Sequence, residues 1–220
     1  MVETIQNIAI WAVPVLAAIV FHEVAHGWVA NWFGDTTAAR MGRLTLNPIA
    51  HIDLFGTIIL PALLIVSHAP FVFGYAKPVP VKFNNLRRPK RDMVLVALAG
   101  PVTNILLVVL SAYVLKFIGL AGGSSSQFLA VAIVPLALMA QRSVEVNIML
   151  AAFNLVPIPP LDGGRVLVGL LPEPYSAAVA RVERYGFLII IVLLMTHLLD
   201  TLIEPIVSVV VAIVRALLLE

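Results

Sequence analysis

The chain has 220 residues, of which 61% are hydrophobic and 12% charged, with a mean hydropathy of +1.03. Ordinary domains are about half apolar and about a quarter charged, so this chain lacks the polar surface of a soluble globule and reads as an integral membrane protein. The absence of cysteine excludes disulfides, a cysteine nucleophile and thiolate metal ligands, and a net charge of +2 without a basic, aromatic-bearing stripe gives no sign of nucleic-acid binding.

The N-terminus carries Glu3 and no Lys or Arg ahead of the apolar run, so no removable signal peptide is expected. The first apolar segment covers 8–33 and is long enough to cross a bilayer, which takes roughly 20 residues. Pro14 is a predicted kink. The later part, AAIVFHEVAHGWVANWF (17–33), is the stretch around which the chain is organised. His22 and His26 lie one turn apart on one helix face, so their rings can converge on one metal ion. Glu23 stands where a base would take a proton from water at that metal. Trp28 and Trp32 follow where an interfacial aromatic girdle is expected.

Residues 34–51 are polar and turn-rich, with Arg40 and Arg43, and Thr45 and Leu46 are candidates for a short strand. Segment 52–73 is apolar but broken by Gly56, Pro61 and Pro70, as either a transmembrane helix or a re-entrant piece packed against protein. Residues 74–92 hold the densest basic cluster, Lys77, Lys82, Arg87, Arg88, Lys90 and Arg91, which the positive-inside rule places in the cytoplasm. Pro78, Pro80 and Pro89 favour extended backbone there.

A third segment covers 93–118 and contains AGPVTN (99–104), whose small residues allow close helix packing and whose Asn104 needs a partner in the core. The following GLAGGSSSQ is uncharged, as expected of an outer loop. The fourth segment, 128–155, carries Gln141, Arg142, Glu145, Asn147 and Asn154. That polar load requires one face to look into the bundle, and Arg142 and Glu145 are spaced to pair. In NLVPIPPLDGGRV (154–166) the prolines forbid regular helix, so an extended strand is expected to deliver Asp162 to a turn at Gly163 and Gly164. Residues 165–184 suit the cytoplasmic surface, and 185–199 and 203–219 are apolar segments forming a tight hairpin.

The expected fold is an all-α polytopic membrane protein. Five to six membrane segments surround a buried metal site, with short extended or re-entrant elements. The chain reads as one domain, 1–220, with its core at 8–170 and a C-terminal hairpin at 185–219. If loop 74–92 is cytoplasmic, segment three runs outward and segment four returns, leaving Asp162 near the cytoplasmic face. A metal shared by Asp162, His22 and His26 then puts the N-terminus outside and the Arg40 and Arg43 loop inside. Segment 52–73 must in that case enter and leave on the same side.

Burying the charge of Glu23 at membrane depth costs several kcal/mol or forces neutralisation, and a divalent metal beside it removes that cost. The bland alternative is a pair of hydrogen-bonded core histidines with Glu23 on an arginine. A catalytic zinc takes three protein ligands and keeps one open position. Asp162 is the strongest candidate for the third, against a turn or cap role. Glu145, His51 and His68 are weaker candidates, and His51 also suits a site-side or solvated loop histidine. Asn154 could donate its amide to a developing oxyanion or serve as a C-cap or core amide; both readings stand.

Together, HEVAH (22–26), AGPVTN (99–104) and NLVPIPPLDGGRV (154–166) resemble the site-2 protease family of intramembrane zinc metalloproteases, over about residues 8–170. The resemblance implies one Zn2+ held by His22, His26 and Asp162, with Glu23 as the catalytic glutamate and Asn154 holding substrate or oxyanion. It implies a helix bundle with the zinc inside the membrane, nearer the cytoplasm. The implied substrate is a membrane protein or peptide, cut in or near a transmembrane segment, and the expected location is a prokaryotic plasma membrane. Many members carry a helix before the zinc-binding helix, and PDZ or CBS domains; these are not expected here. Substrate could lie extended along a strand edge near 44–46 or 156–161. The rival readings are a metal transporter or sensor, which would spread ligands along a crossing path, and a catalytically silent scaffold.

Overall fold

The computed structural model of the chain describes residues 2–68, 74–121 and 127–219, and every regular element among them is helical. Helix α1 (Val2–Trp32) is followed by α2 (Thr37–Arg40), a 3-10 turn at Pro48–His51, a π-helical turn at Leu54–Ile59 and α3 (Leu60–Val66). A 3-10 turn at Phe83–Asn85 leads to α4 (Pro89–Ala121) and α5 (Gln127–Asn154). Then come α6 (Asp162–Leu170), α7 (Tyr175–Val182), α8 (Gly186–Met195) and α9 (Leu198–Leu219). Pro14 lies inside α1 without ending it.

Among the described residues, three helical stretches are long and apolar enough to cross a membrane: Gln6–Trp32, Pro89–Leu120 and Ile133–Asn154. A fourth is available if Tyr175–Met195 and Leu198–Ala216, bent by 89° to one another, form one broken span. The protein is therefore an all-α, largely membrane-embedded fold with three to four apolar spans, where five to six segments were expected. Length accounts for the difference. Helix α8 has 10 residues, and Leu54–Val66 also falls short of the roughly 20 residues a crossing takes.

Helix α4 is central and packs against α1, α5 and α6. Val108 and Ala112 of α4 are buried with Val210 and Val214 of α9. Ala152 and Val156 close the other end with Leu161, Ile190, Leu199 and Ile203. The C-terminal end of α1 and the N-terminal end of α4 lie side by side: Arg87 N donates to Phe33 O at 2.9 Å, and Ala30, Leu86 and Val96 form a buried cluster. Fully buried Asp35 ties the same corner, accepting from Lys82 N at 2.6 Å and from Asn85 Nδ2 at 3.0 Å. The chain between these ends thus leaves and returns at one corner of the helix layer. Residues 69–73 of segment 52–73, with Pro70, and 122–126 of the expected outer loop lie outside the described residues.

Two expectations about extended structure fail. No strand occurs among the described residues, either at Thr45 and Leu46 or along 156–161. The proline-rich stretch is instead a series of turns: Ile158 N donates to Val156 O at 2.8 Å and Leu161 N to Ile158 O at 3.0 Å, with Pro159–Pro160 in the cis form. Prolines exclude helix, and turns meet that constraint as well as a strand does. Gly163 and Gly164 are likewise not a turn but part of α6.

Candidate metal centre

Helix α1 presents His22 and His26 from successive turns, and both are buried against α4. His22 Nδ1 lies 2.6 Å from Asn104 Oδ1, and His26 Nδ1 lies 2.7 Å from the Val96 carbonyl. These partners decide the tautomers. A carbonyl only accepts, so His26 carries its proton on Nδ1. Asn104 is fully buried and its Nδ2 reaches the Ala18 carbonyl at 3.2 Å and Asn147 Oδ1 at 2.7 Å. The Ala18 carbonyl fixes which end of the Asn104 amide is the donor. Its oxygen therefore faces His22, which must also be protonated on Nδ1. Asn147, in turn, donates to Ser143 O at 2.8 Å, so the polarity of the chain is consistent throughout.

Both Nε2 atoms are then bare lone pairs, and they face each other at 3.0 Å. Asp162 opens α6 behind its N-cap Leu161, and its Oδ2 is 3.2 Å from each Nε2. That oxygen is buried and has no hydrogen-bond donor. Three electron-pair donors converging without a proton among them is an arrangement that a cation stabilises and that repels itself otherwise. His22, His26 and Asp162 can hold a metal ion, their ligand atoms lying within 4.8 Å of one another. Two imidazoles and a carboxylate suit zinc and its three-ligand catalytic sites. A cation in that place would favour the ionised form of Asp162.

Glycines shape the space. A Cβ on Gly100 would lie 2.4 Å from His26 Nε2 and 2.6 Å from His22 Nε2, so the ligand atoms occupy the volume a side chain would fill. A Cβ on Gly163 would meet Leu155 O at 2.2 Å, and one on Gly164 would meet Pro159 N at 2.2 Å. Backbone-to-backbone contact at these two positions sets α6 against the proline turns and thereby places Asp162.

The triad opens on a cavity of about 420 Å³ that also takes in Glu23 and Asn154. Half-buried Glu23 accepts through Oε2 from Val79 N at 2.7 Å. Asn154 is the last residue of α5, and its Nδ2 donates to Leu150 O at 3.0 Å. One amide hydrogen remains for a ligand. All five residues singled out from the sequence thus share one cavity, although His22 and Asp162 are far apart in the chain.

The weaker candidates lie elsewhere. Glu145 is exposed and pairs with Arg142 at 2.7 Å, while the Arg142 guanidinium sits 4.3 Å from the Trp11 ring. The inward face of α5 is carried by Asn147 instead. His51 is not a solvated loop residue: it is 2% exposed, holds the Thr45 carbonyl at 2.8 Å through Nε2, and does not line the cavity. Sequence reasoning missed the Val96 carbonyl, the steric role of Gly100 and the link from Asn104 to Asn147. The pattern AGPVTN held the signal for two of these, since it sets a glycine and an asparagine four apart on one helix face.

The profile of "Peptidase family M50" matches residues 118–197. YwhC of Bacillus subtilis is 38% identical over 194 residues, covering 84% of this chain and 80% of that protein. Rip2 of Mycolicibacterium smegmatis is 31% identical over 185 residues, covering 84% of this chain and 66% of its own length. Zinc metalloprotease MJ0392 of Methanocaldococcus jannaschii is 24% identical over 174 residues, or 78% of this chain and 38% of that one. No solved structure matches the chain. The fold and the His-His-Asp cluster define a membrane metalloprotease, and the chain belongs to peptidase family M50, the site-2 intramembrane zinc metalloproteases.

Proposed function

We propose that the protein holds one zinc through His22, His26 and Asp162 and hydrolyses peptide bonds in or beside the membrane segments of other proteins. The observation that carries this reading is the convergence of two bare Nε2 atoms and an unpartnered Oδ2 in the cavity that also holds Glu23 and Asn154. A bound zinc supplies Lewis acidity there, lowering the pKa of water and polarising the scissile carbonyl. Glu23 takes the proton from the attacking water and returns it to the leaving amine. Asn154 offers its free amide hydrogen to the carbonyl oxygen as negative charge develops on it. A transmembrane substrate has its amides bonded within its own helix, so it must unwind locally before it fits.

The whole chain works as one unit, with the chemistry in 8–170 and α8 and α9 as a C-terminal hairpin. The N-terminus is outside and the corner around Asp35 is cytoplasmic. Leu54–Val66 is a re-entrant piece, a reading its length and the neighbouring ends of α1 and α4 both support. The named relatives come from bacteria and an archaeon, which favours a prokaryotic plasma membrane. Metal transport would call for ligand sets along a path, whereas the described residues hold a single cluster.

The test uses Glu23→Gln in detergent-purified full-length protein, with a fluorogenic transmembrane-segment peptide as probe and zinc counted by mass spectrometry. The expected result is one zinc per chain retained, with cleavage down by about 10²- to 10⁴-fold. Full cleavage by the variant would reject Glu23 as the base, and zinc-free folded native protein would reject the mechanism.

A further inference from the structure

The contact between Glu23 and Val79 joins the base to the basic stretch 74–92. Residues 77–81 read Lys-Pro-Val-Pro-Val. Pro78 and Pro80 have no N–H and restrict their own φ. Val79 is therefore the one donor between them, and it is aimed at Glu23 Oε2 at 2.7 Å.

The segment is held in place by bonds that do not involve Glu23. Tyr75 N donates to Gly56 O at 3.0 Å and Lys77 N to His51 O at 2.9 Å. Arg43 Nη2 donates to Lys77 O at 2.9 Å and to Pro78 O at 3.3 Å. Buried His51, which serves no metal, thus has a place in this scaffold. Gly27, one turn beyond Glu23, lets the segment approach α1: a Cβ there would lie 2.6 Å from Val79 Cγ1 and 2.5 Å from Leu44 Cδ2.

We propose that the main-chain N–H of Val79 positions the Glu23 carboxylate for its work as base. This rests on the proposed role of Glu23. A glutamate side chain has three rotatable bonds and, left alone, samples many placements. A donor on Oε2, fixed by independent bonds, holds one oxygen and leaves Oε1 to face the proton it must take. Displacement of a catalytic group by about 1 Å costs on the order of 10²-fold in rate, so a fixed donor acts on turnover rather than on substrate binding. Val79 is a positioning residue in this scheme and touches no reacting atom through its N–H.

The test compares Val79→Pro, which removes the N–H, with Val79→Ala, which keeps it, in zinc-loaded full-length protein. Val79→Pro is expected to lower kcat by about 10²-fold, with KM within about threefold of native and with zinc content and thermal unfolding preserved. Val79→Ala restores kcat to within about threefold of native. Equal losses in both variants would assign the effect to the side chain and overturn the proposal. A rise in kcat in Val79→Pro would also overturn it, by making the segment an inhibitory strap. Amide-resolved hydrogen exchange supplies a readout that needs no cleavage. Glu23→Ala should speed exchange at Val79 by about tenfold or more, leaving Tyr75 and Lys77 slow. Unchanged Val79 exchange would refute the contact whether or not the protein proves to be a protease, or Val79→Pro proves to fold.

Discussion

At the scale of single residues the site is governed by what is missing from Gly100 and by what Asn104 cannot do. Gly100 lacks the Cβ that would occupy the space of both Nε2 atoms. Alanine is the better helix former by about 1 kcal/mol, so Gly100→Ala leaves α4 helical and strikes the histidines alone. The expected outcome is a folded protein that loses bound zinc, read by mass spectrometry on detergent-purified material; native zinc content would show that the rings can move aside. Asn104 cannot reverse its amide, because one side faces the Ala18 carbonyl. It is therefore an orienting partner of His22 of the kind that metal sites depend on for ligand geometry.

At the scale of elements, Asp35 joins the end of α1 to the approach to α4. Burial pushes its carboxyl up, and hydrogen bonds from Thr37, Lys82 and Asn85 outweigh that and hold it below the ordinary carboxylate range. A depressed carboxylate contributes stability above its unfolded pKa and loses it as pH falls through the folded value. Asp35→Asn should therefore destabilise the protein by about 2 kcal/mol near neutral pH. That gap should close as pH drops below the ordinary carboxylate value, in paired thermal unfolding series in detergent; a gap independent of pH would mean that shape, not charge, holds the corner. This corner also shows where the sequence was legible. The histidine pair and Glu23 are written in local spacing, so one helix period suffices to bring them together. Asp162 stands out as a carboxylate between a proline-rich stretch and two glycines, but no local spacing writes its meeting with the histidines, because its neighbour in space is far away in the chain. Turns stand where a strand is expected at 156–161 because proline composition says what the backbone cannot be, and turns satisfy that exclusion equally well. Val79 was invisible, since a main-chain donor leaves no side-chain signature.

At the scale of the whole molecule, the metal would bridge the first helix and α6, elements brought together only by the complete fold. Binding to the folded state alone adds stability by mass action, about 2.7 kcal/mol at a free zinc concentration of 100 times Kd. Chelation should lower the thermal midpoint of the native protein by roughly 5–10 °C for a chain of this size. Asp162→Ala should show little further loss on chelation; an undiminished shift would put the metal elsewhere. The same bridge constrains topology. Phe33 O and Arg87 N are bonded, so the proposed re-entrant reading of Leu54–Val66 puts the chain on either side of it at one membrane face. The protein has no cysteine, so single-cysteine variants can be read directly on the native background. Met41 is exposed just past that corner, and Met41→Cys and Arg88→Cys should react with an impermeant thiol reagent only after the cytoplasmic side is opened. Labelling of both from outside would invert the molecule while keeping the re-entrant piece. Labelling from opposite sides would break the shared corner, and with it the depth at which Asp162 meets the two histidines.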